Sequence, residues 1–170
     1  MLEKFTYLNT VENLLRNVNG CSEISEQCGV YVVTYSKSKM PKFKQQGSGP
    51  EMWHDRKVNV SVEKLISKWI IFRDGEEKII YIGRAGGEGI SSNLRNRIKR
   101  YILFGSGCEV AHYGGRYIWQ IANPKDMAIY WQETRYPAET ERRLINDFKY
   151  EHEGKLPFAN LKGGDKIKTL

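Results

Sequence analysis

The chain has 170 residues, of which 40% are hydrophobic and 12% aromatic, and these values are typical of a globular domain and exclude wholesale disorder. Because no apolar run approaches the roughly 20 residues of a membrane span, the start lacks a secretion signal and the three cysteines form no even framework, we expect a cytoplasmic protein without a membrane partner. The net charge of +7 favours nucleic acid as a partner, since basic side chains release counterions from phosphates, although a basic surface can also serve solubility alone.

The first part of the chain predicts a helix followed by a buried strand. Apolar residues recur on one helical face over residues 8–18, and Asn9 or Thr10 can cap the helix that this pattern predicts. After their first glycine, residues 29–35 are all β-branched or aromatic, which predicts a buried strand.

A long polar segment follows this strand. Residues 36–60 contain prolines, glycines and six lysines or arginines against two acidic residues. A structureless connection of this length is unusual in a compact domain. We therefore expect a single domain over residues 1–170 that carries an insertion over residues 36–68.

The middle of the chain predicts a short helix over residues 62–68 and then a hairpin. The two strands of the hairpin are residues 69–72 and 78–82, which are mostly apolar and flank the turn sequence Asp74-Gly75.

The second half of the chain predicts two helices with two strands between them. The first helix runs from about residue 91 to 104, the strands cover residues 116–121 and 127–131, and the last helix covers residues 137–151. Pro137 suits the first turn of that helix. This order of elements predicts an α+β fold, a small and mainly antiparallel sheet flanked by helices.

The last predicted helix places a carboxylate among apolar side chains. At about 100° per residue, Glu141 lies in the middle of the face formed by Leu144, Ile145 and Phe148, whereas Glu139 lies among solvent-facing positions. A carboxylate on a core face is costly unless it is paired or binds a cation. Glu141 is therefore a candidate metal ligand, and an ion-paired or capping glutamate is the alternative.

The helix before it carries a basic residue at the edge of its apolar stripe. Arg97 is one turn from Tyr101, so the two side chains can reach one site. Arg95, Lys99 and Arg100 point further away, and they indicate either a solvated face or contacts with phosphate.

Short motifs in a fixed order resemble those of one nuclease family. Gly29-Val30-Tyr31 begins the first buried strand, and Tyr81-Ile82-Gly83 closes a later strand. Arg97 follows in the next helix, Glu141 in the last helix and Asn160 after it. In this order, the motifs resemble the GIY-YIG nucleases, which include the N-terminal domain of the excinuclease C subunit, homing endonucleases and type II restriction enzymes.

The resemblance implies a metal-dependent endonuclease that hydrolyses DNA phosphodiester bonds with Mg²⁺ or Mn²⁺ as cofactor. Glu141 matches the family's metal-binding glutamate, Arg97 matches the arginine that stabilises charge on the phosphate, and Asn160 matches the asparagine that orients the site. The family's two tyrosine strands are usually joined by a short turn, so the insertion between them marks a departure from the pattern.

The tyrosines of the two motifs are the candidates for activating the attacking water. We favour Tyr31 as the general base, with Tyr81 as the alternative. Tyr101 occupies the position where family members place a His or Tyr that touches the active site. Beside a cation and an arginine, we expect such a phenol to ionise below its reference pKa near 10.

Basic and aromatic residues outside these motifs are candidates for contacts with double-stranded DNA. The insertion contributes aromatic surfaces that can stack on bases, and a glycine-rich stretch after the third helix contributes polar side chains at the rim of the site. The candidates are Lys42, Phe43, Lys44, Trp53, Arg84, Arg95, His112 and Arg116.

The sequence leaves several functional alternatives open. The short chain is more typical of a restriction or mobile-element nuclease than of a repair subunit. The sequence does not distinguish DNA from RNA, and it leaves the oligomeric state open, a homodimer included. A non-catalytic nucleic-acid-binding module on the same scaffold is the main alternative to an enzyme. A protein-interaction domain with a solvated basic surface is the second.

Overall fold

The computed structural model describes residues 2–87, 89–110, 112 and 114–163. Six strands lie along this part of the chain: β1 (Thr6–Thr10), β2 (Gly29–Tyr35), β3 (Met52–Trp53), β4 (Arg56–Lys57), β5 (Ile79–Ala85) and β6 (Met127–Glu133). The four α-helices are α1 (Val11–Arg16), α2 (Val62–Lys68), α3 (Leu94–Gly105) and α4 (Pro137–Glu151). Short 3₁₀ helices cover Leu2–Lys4, Val18–Glu23, Arg116–Gln120 and Pro124–Asp126.

The main sheet has four strands in the order β1-β6-β2-β5, and every neighbouring pair is antiparallel. The expected α+β class, with a small antiparallel sheet flanked by helices, is therefore confirmed. The two tyrosine strands β2 and β5 are direct partners, and Tyr31 lies opposite Gly83. This pairing forms although residues 36–78 separate the strands along the chain.

The sheet is covered on both faces, which explains why β2 is apolar at nearly every position. Tyr31 and Val33 face a cluster that includes the apolar stripe of α3, and Val30 and Val32 face the apolar stripe of α4. Alternate side chains of a strand point to opposite faces, so the motif tyrosines share the α3 face.

The outer edge of β5 is closed by the segment that follows α4. The amide of Ala159 donates to the carbonyl of Ile80 at 2.8 Å, and the side chain of Asn160 bonds both backbone groups of Ile82. An uncovered edge strand exposes a row of unpaired donors and acceptors. Residues 157–160 satisfy part of that row without forming a strand.

Two sequence predictions near this edge are wrong. Residues 69–72 are not a strand, although the turn at Asp74 and Gly75 exists, because the edge on which they would pair is taken by residues 157–160. Residues 116–120 form a 3₁₀ helix, and four of its five residues are buried. A short, buried apolar run can be either a strand or a 3₁₀ helix, so composition alone could not distinguish these two elements.

The predicted first helix begins later than expected. Residues 8–10 belong to β1, and the helix starts at Val11, where the Thr10 hydroxyl accepts the Asn13 amide at 3.3 Å. Tertiary pairing with β6 takes these residues into the sheet, which their periodicity does not reveal.

The segment between β2 and β5 is folded onto the core. Phe43 forms an isolated bridge with Ile121 and stacks on Phe158 with ring centroids 5.5 Å apart. The buried Gln120 donates to the carbonyls of Lys44 and Val60, which fastens the segment to the domain. Phe43 thus contributes to core packing, and its stacking on bases stays a prediction.

Among the described residues, no helix combines the length and the apolar character needed to cross a membrane.

Phe43→Ala should lower the free energy of unfolding by about 2 kcal/mol, because it removes a half-buried ring from the contact with Phe158. Lys44→Ala, one residue away and exposed, should change it by less than about 0.5 kcal/mol. Urea denaturation measures both. Equal effects of the two substitutions would contradict the packing role of Phe43.

Candidate active site

Three tyrosines from three elements form the centre of the site. The ring of Tyr31 on β2 lies 5.9 Å from that of Tyr81 on β5 and 6.1 Å from that of Tyr101 on α3. Tyr81 and Tyr101 are stacked at 5.6 Å. All three rings are buried, with Tyr31 and Tyr101 fully shielded from solvent. The structure therefore brings together the tyrosines that the motifs singled out.

Glycines let the backbone approach these rings. A Cβ at Gly83 would lie 2.6 Å from the Cζ atom of Tyr31, which occupies the space directly across the strand pair. Gly115 has φ of +72°, and a Cβ there would lie 2.9 Å from Tyr81 and 3.0 Å from the Tyr101 hydroxyl. The Tyr101 hydroxyl donates to the Gly115 carbonyl at 3.2 Å. Both glycines are thus required by close contact with a phenol.

His112 lies inside this cluster, and the expectation that it sits at the rim is wrong. Its side chain is buried, and its ring lies 4.6 Å from that of Tyr101. Nδ1 faces the Gly114 carbonyl at 3.1 Å, and Nε2 faces the Tyr31 hydroxyl at 2.9 Å. The sequence around His112 has neither helical nor strand periodicity, so no pattern predicts that its side chain is buried.

The tautomer of His112 follows from its partners. A carbonyl oxygen only accepts, so Nδ1 carries the proton and donates to Gly114. Burial first, and then the positive charge of Arg97, lower the pKa of His112 to about 3. The ring is therefore neutral and Nε2 is an acceptor, so the Tyr31 hydroxyl donates a hydrogen bond to Nε2.

The phenols are held in their neutral form. Burial raises the pKa of Tyr31, and it raises the pKa of Tyr81 and Tyr101 well above 10. The charge of Arg97 and, after it, the neighbouring Tyr81 side chain oppose this rise in the pKa of Tyr31 without reversing it. Without a cation, desolvation outweighs the neighbouring positive charge, and the expectation that a phenol beside a bound cation ionises more easily stays a prediction.

These side chains form one polar cluster. Tyr31 donates to His112, and Tyr81 and Arg97 lie close enough to Tyr31 to change its pKa. Tyr81 is the tyrosine that lines an open cleft of about 250 Å³, together with Gly114, Glu141, Asn160 and Lys162. Tyr81, and not the favoured Tyr31, is thus the phenol in a position to meet water from the cleft.

Glu141 reaches the cleft from the opposite face of the sheet. Its carboxylate is mostly buried, with 19% of the side chain exposed, and lies 3.3 Å from Nε of Arg84. The sequence left open a metal ligand or an ion-paired glutamate, and the structure shows the ion pair. Arg84, expected to contact DNA, is the partner of Glu141.

The residues of the cleft fit a hard divalent cation. Mg²⁺ is commonly held by one or two carboxylates and keeps several waters, which a solvent-connected cleft can supply. Glu141 is the carboxylate that lines the cleft. It would hold the ion beside the place where a phosphate can enter.

Asn160 acts on the site through the backbone. Its Oδ1 accepts the Ile82 amide at 2.9 Å, and its Nδ2 donates to the Ile82 carbonyl at 2.8 Å. These bonds hold β5 between Tyr81 and Gly83, so Asn160 is a positioning residue.

Several residues expected to contact DNA lie elsewhere or have other partners. The Arg95 guanidinium bonds Glu26 and the Ile24 carbonyl, and Arg116 donates to the Val58 carbonyl at 3.2 Å. Trp53 is half-buried, with its ring against that of His54. Lys42 and Lys44 are exposed and stay candidates.

Comparison of the chain with protein-family models, with curated proteins and with solved structures found no match.

Gly83→Ala should destabilise the fold by about 2 kcal/mol, because the new methyl group overlaps a buried tyrosine ring that has no room to move. Gly20→Ala is the matched control, since its Cβ would lie 3.4 Å from the flexible end of Leu14. Thermal unfolding compares them. A Gly83→Ala protein as stable as the control would contradict the close contact between Gly83 and Tyr31.

Acidification should destabilise the protein through His112. Its pKa is about 3 when folded, against an ordinary value of 6.5, so below pH 6.5 the unfolded chain takes up a proton that the folded protein does not. The stabilising contribution is complete above pH 6.5 and declines as the pH falls towards 3. Urea denaturation across this range should give a shallower pH dependence for His112→Gln than for the wild type.

If His112→Gln keeps the pH dependence of the wild type, His112 is not a buried neutral histidine.

Proposed function

We propose that this protein is a metal-dependent endonuclease that hydrolyses DNA phosphodiester bonds, as the resemblance of its motifs to the GIY-YIG nucleases implies. The observation that carries the proposal is the buried cluster of Tyr81, Tyr31 and His112 beside Arg97, in which Tyr31 is hydrogen-bonded to His112 and Tyr81 lines a cleft that also contains Glu141. A buried cluster of polar side chains is expensive to maintain for stability alone. Its opening into a cleft lined by a carboxylate supports catalysis.

The positive charges near the cleft suit a phosphate group. Arg97 acts electrostatically on Tyr31, Tyr81 and His112, and Lys162 lines the cleft. A cation fixed at the position where negative charge develops stabilises the transition state without further rearrangement. Arg97 is proposed in this role.

The neighbouring phenols of Tyr81 and Tyr31, together with His112, supply a route for one proton. Water in the cleft gives a proton to Tyr81 while Tyr81 passes its own to Tyr31 and Tyr31 passes its own to Nε2 of His112. The water oxygen forms a bond to phosphorus, the bond to the leaving oxygen breaks, and that oxygen takes a proton from solvent. His112 ends as imidazolium and later returns its proton.

The low pKa of His112 opposes this transfer in the free protein. A bound phosphate brings negative charge close to Arg97 and His112, and a nearby negative charge favours the protonated form of an imidazole. Substrate binding is therefore expected to raise the pKa of His112 and to make the route usable.

The metal contributes charge. When bound, Mg²⁺ or Mn²⁺ supplies positive charge that stabilises the phosphate oxygens during hydrolysis. Glu141 would hold it, and the ion pair with Arg84 places that carboxylate at the cleft in advance.

The substrate and the biological role are part of the proposal. The net charge of +7 and the exposed Lys42 and Lys44 favour a long polyanion such as double-stranded DNA. A restriction or mobile-element nuclease, as a monomer or a homodimer, is the role we propose.

One observation favours a second function, a nucleic-acid-binding module without catalysis. The Glu141 carboxylate forms an ion pair with Arg84, and such a pair serves the fold as well as a reaction. In that case Glu141 needs no metal, and binding of DNA continues without cleavage.

Glu141→Gln should reduce Mg²⁺-dependent nicking of supercoiled plasmid by more than about a hundredfold, because it removes the charged ligand and leaves the shape. Affinity for the same plasmid should change only a few-fold. Glu139→Gln is the control, since Glu139 lies two residues away on the exposed side of α4.

Either of two results would contradict the enzyme. A wild-type protein that binds plasmid and never nicks it indicates the binding module. Equal nicking by Glu141→Gln and Glu139→Gln removes Glu141 from the reaction.

A further inference from the structure

A second group of metal-ligating side chains lies away from the tyrosine cleft. Glu151 is the last residue of α4, His152 follows it, and Glu76 lies in the segment that leads into β5. One donor atom from each of the three residues lies within 4.8 Å of the others. Glu76 and His152 are far apart in the sequence, so no spacing pattern indicates this group.

The His152 ring is fixed by packing and by one hydrogen bond. It stacks on Phe148 with ring centroids 3.9 Å apart and an interplanar angle of 8°, and its edge meets Phe72. Nδ1 lies 2.8 Å from the Phe148 carbonyl, which can only accept, so Nδ1 carries the proton. Histidine metal ligands are commonly held by such a hydrogen bond on the opposite ring nitrogen.

The other nitrogen of this ring points at a carboxylate. Nε2 of His152 is buried and has no hydrogen-bond partner among the described residues, yet it lies 2.7 Å from Oε1 of Glu76. In the neutral ring, two acceptors face each other, and their lone pairs repel unless a proton or a cation lies between them. Ligand atoms about 2.1 Å from one tetrahedral cation are about 3.4 Å apart, so a bound ion would move Oε1 of Glu76 slightly away from Nε2.

The carboxylates of Glu76 and Glu151 are also arranged so that they can bind a cation. Oε2 of Glu76 accepts the Arg73 amide at 2.7 Å, which orients Oε1 towards His152. Glu151 is exposed and closes the other side of a cavity of about 180 Å³ that Glu76, Glu77 and Phe148 also line. The cavity has room for a cation and its waters.

We propose that Glu76, Glu151 and His152 bind one divalent cation of the zinc class. One imidazole nitrogen with two carboxylate oxygens is a donor set that zinc accepts, whereas a site for Mg²⁺ would contain oxygen donors alone. The ion joins the turn before β5 to the end of α4. Those two elements carry Tyr81 and Glu141, so this site stabilises the frame of the cleft, and it does not depend on the proposed function.

The test uses the Glu141→Gln protein, in which the carboxylate of the tyrosine cleft cannot contribute to metal binding. Calorimetric titration with ZnCl₂ should show one tight site, and Zn²⁺ should raise the thermal unfolding temperature relative to protein in EDTA. Adding Glu151→Gln should weaken Zn²⁺ binding by about tenfold or more. Adding Glu153→Gln instead should leave Zn²⁺ binding unchanged. Glu153 is exposed, and its substitution removes the same charge at the same helix end.

His152→Gln should abolish the tight site, and Glu76→Gln provides a second ligand variant in case the buried substitution prevents folding. No Zn²⁺ binding and no thermal shift would overturn the proposal and identify a plain imidazolium–carboxylate pair. Equal losses in the Glu151→Gln and Glu153→Gln proteins would overturn it as well, because they would show non-specific attraction of cations to an acidic surface.

Discussion

The hydrogen bond from the Tyr31 hydroxyl to Nε2 of His112 is the interaction on which the rest of the site depends. A phenol and an imidazole that are buried in a protein core need hydrogen-bond partners, because an unpaired buried polar group lowers the stability of the fold. The Gly114 carbonyl selects the tautomer of His112, and that tautomer makes Tyr31 a donor. One backbone carbonyl therefore sets the direction of the hydrogen bond between these two buried side chains.

This arrangement requires close packing from several elements. The glycines opposite and above the tyrosine rings let strand and loop backbone lie against the phenols, and α3 supplies both Tyr101 and Arg97. The segment after α4 closes the edge of β5 and thereby holds Tyr81 at the cleft. The long segment between β2 and β5 does not disturb the pairing of those strands, because it packs on the core through Phe43 and Gln120.

The sequence was most informative where one period dominates. The buried strand over residues 29–35 and the helix over residues 137–151 were predicted with their observed bounds, and Glu139 and Glu141 were placed on the correct sides. Prediction failed where tertiary pairing decides, as at residues 8–10 and 69–72. The role of His112 was missed because its position depends on the loop backbone near Gly114. The raised pKa of the tyrosines was missed because their burial depends on residues that are distant in the sequence.

The most direct test of the central claim is the single-turnover rate of Mg²⁺-dependent plasmid cleavage by Tyr31→Phe. This variant keeps the buried ring and removes only the hydroxyl that is hydrogen-bonded to His112 and lies between His112 and Tyr81 in the proposed proton route. Tyr35→Phe is the control, since Tyr35 is buried on the same face of the same strand outside this route. We expect Tyr31→Phe to lose more than about a hundredfold in rate and Tyr35→Phe to cleave like the wild type. Cleavage at the wild-type rate by Tyr31→Phe would contradict the account.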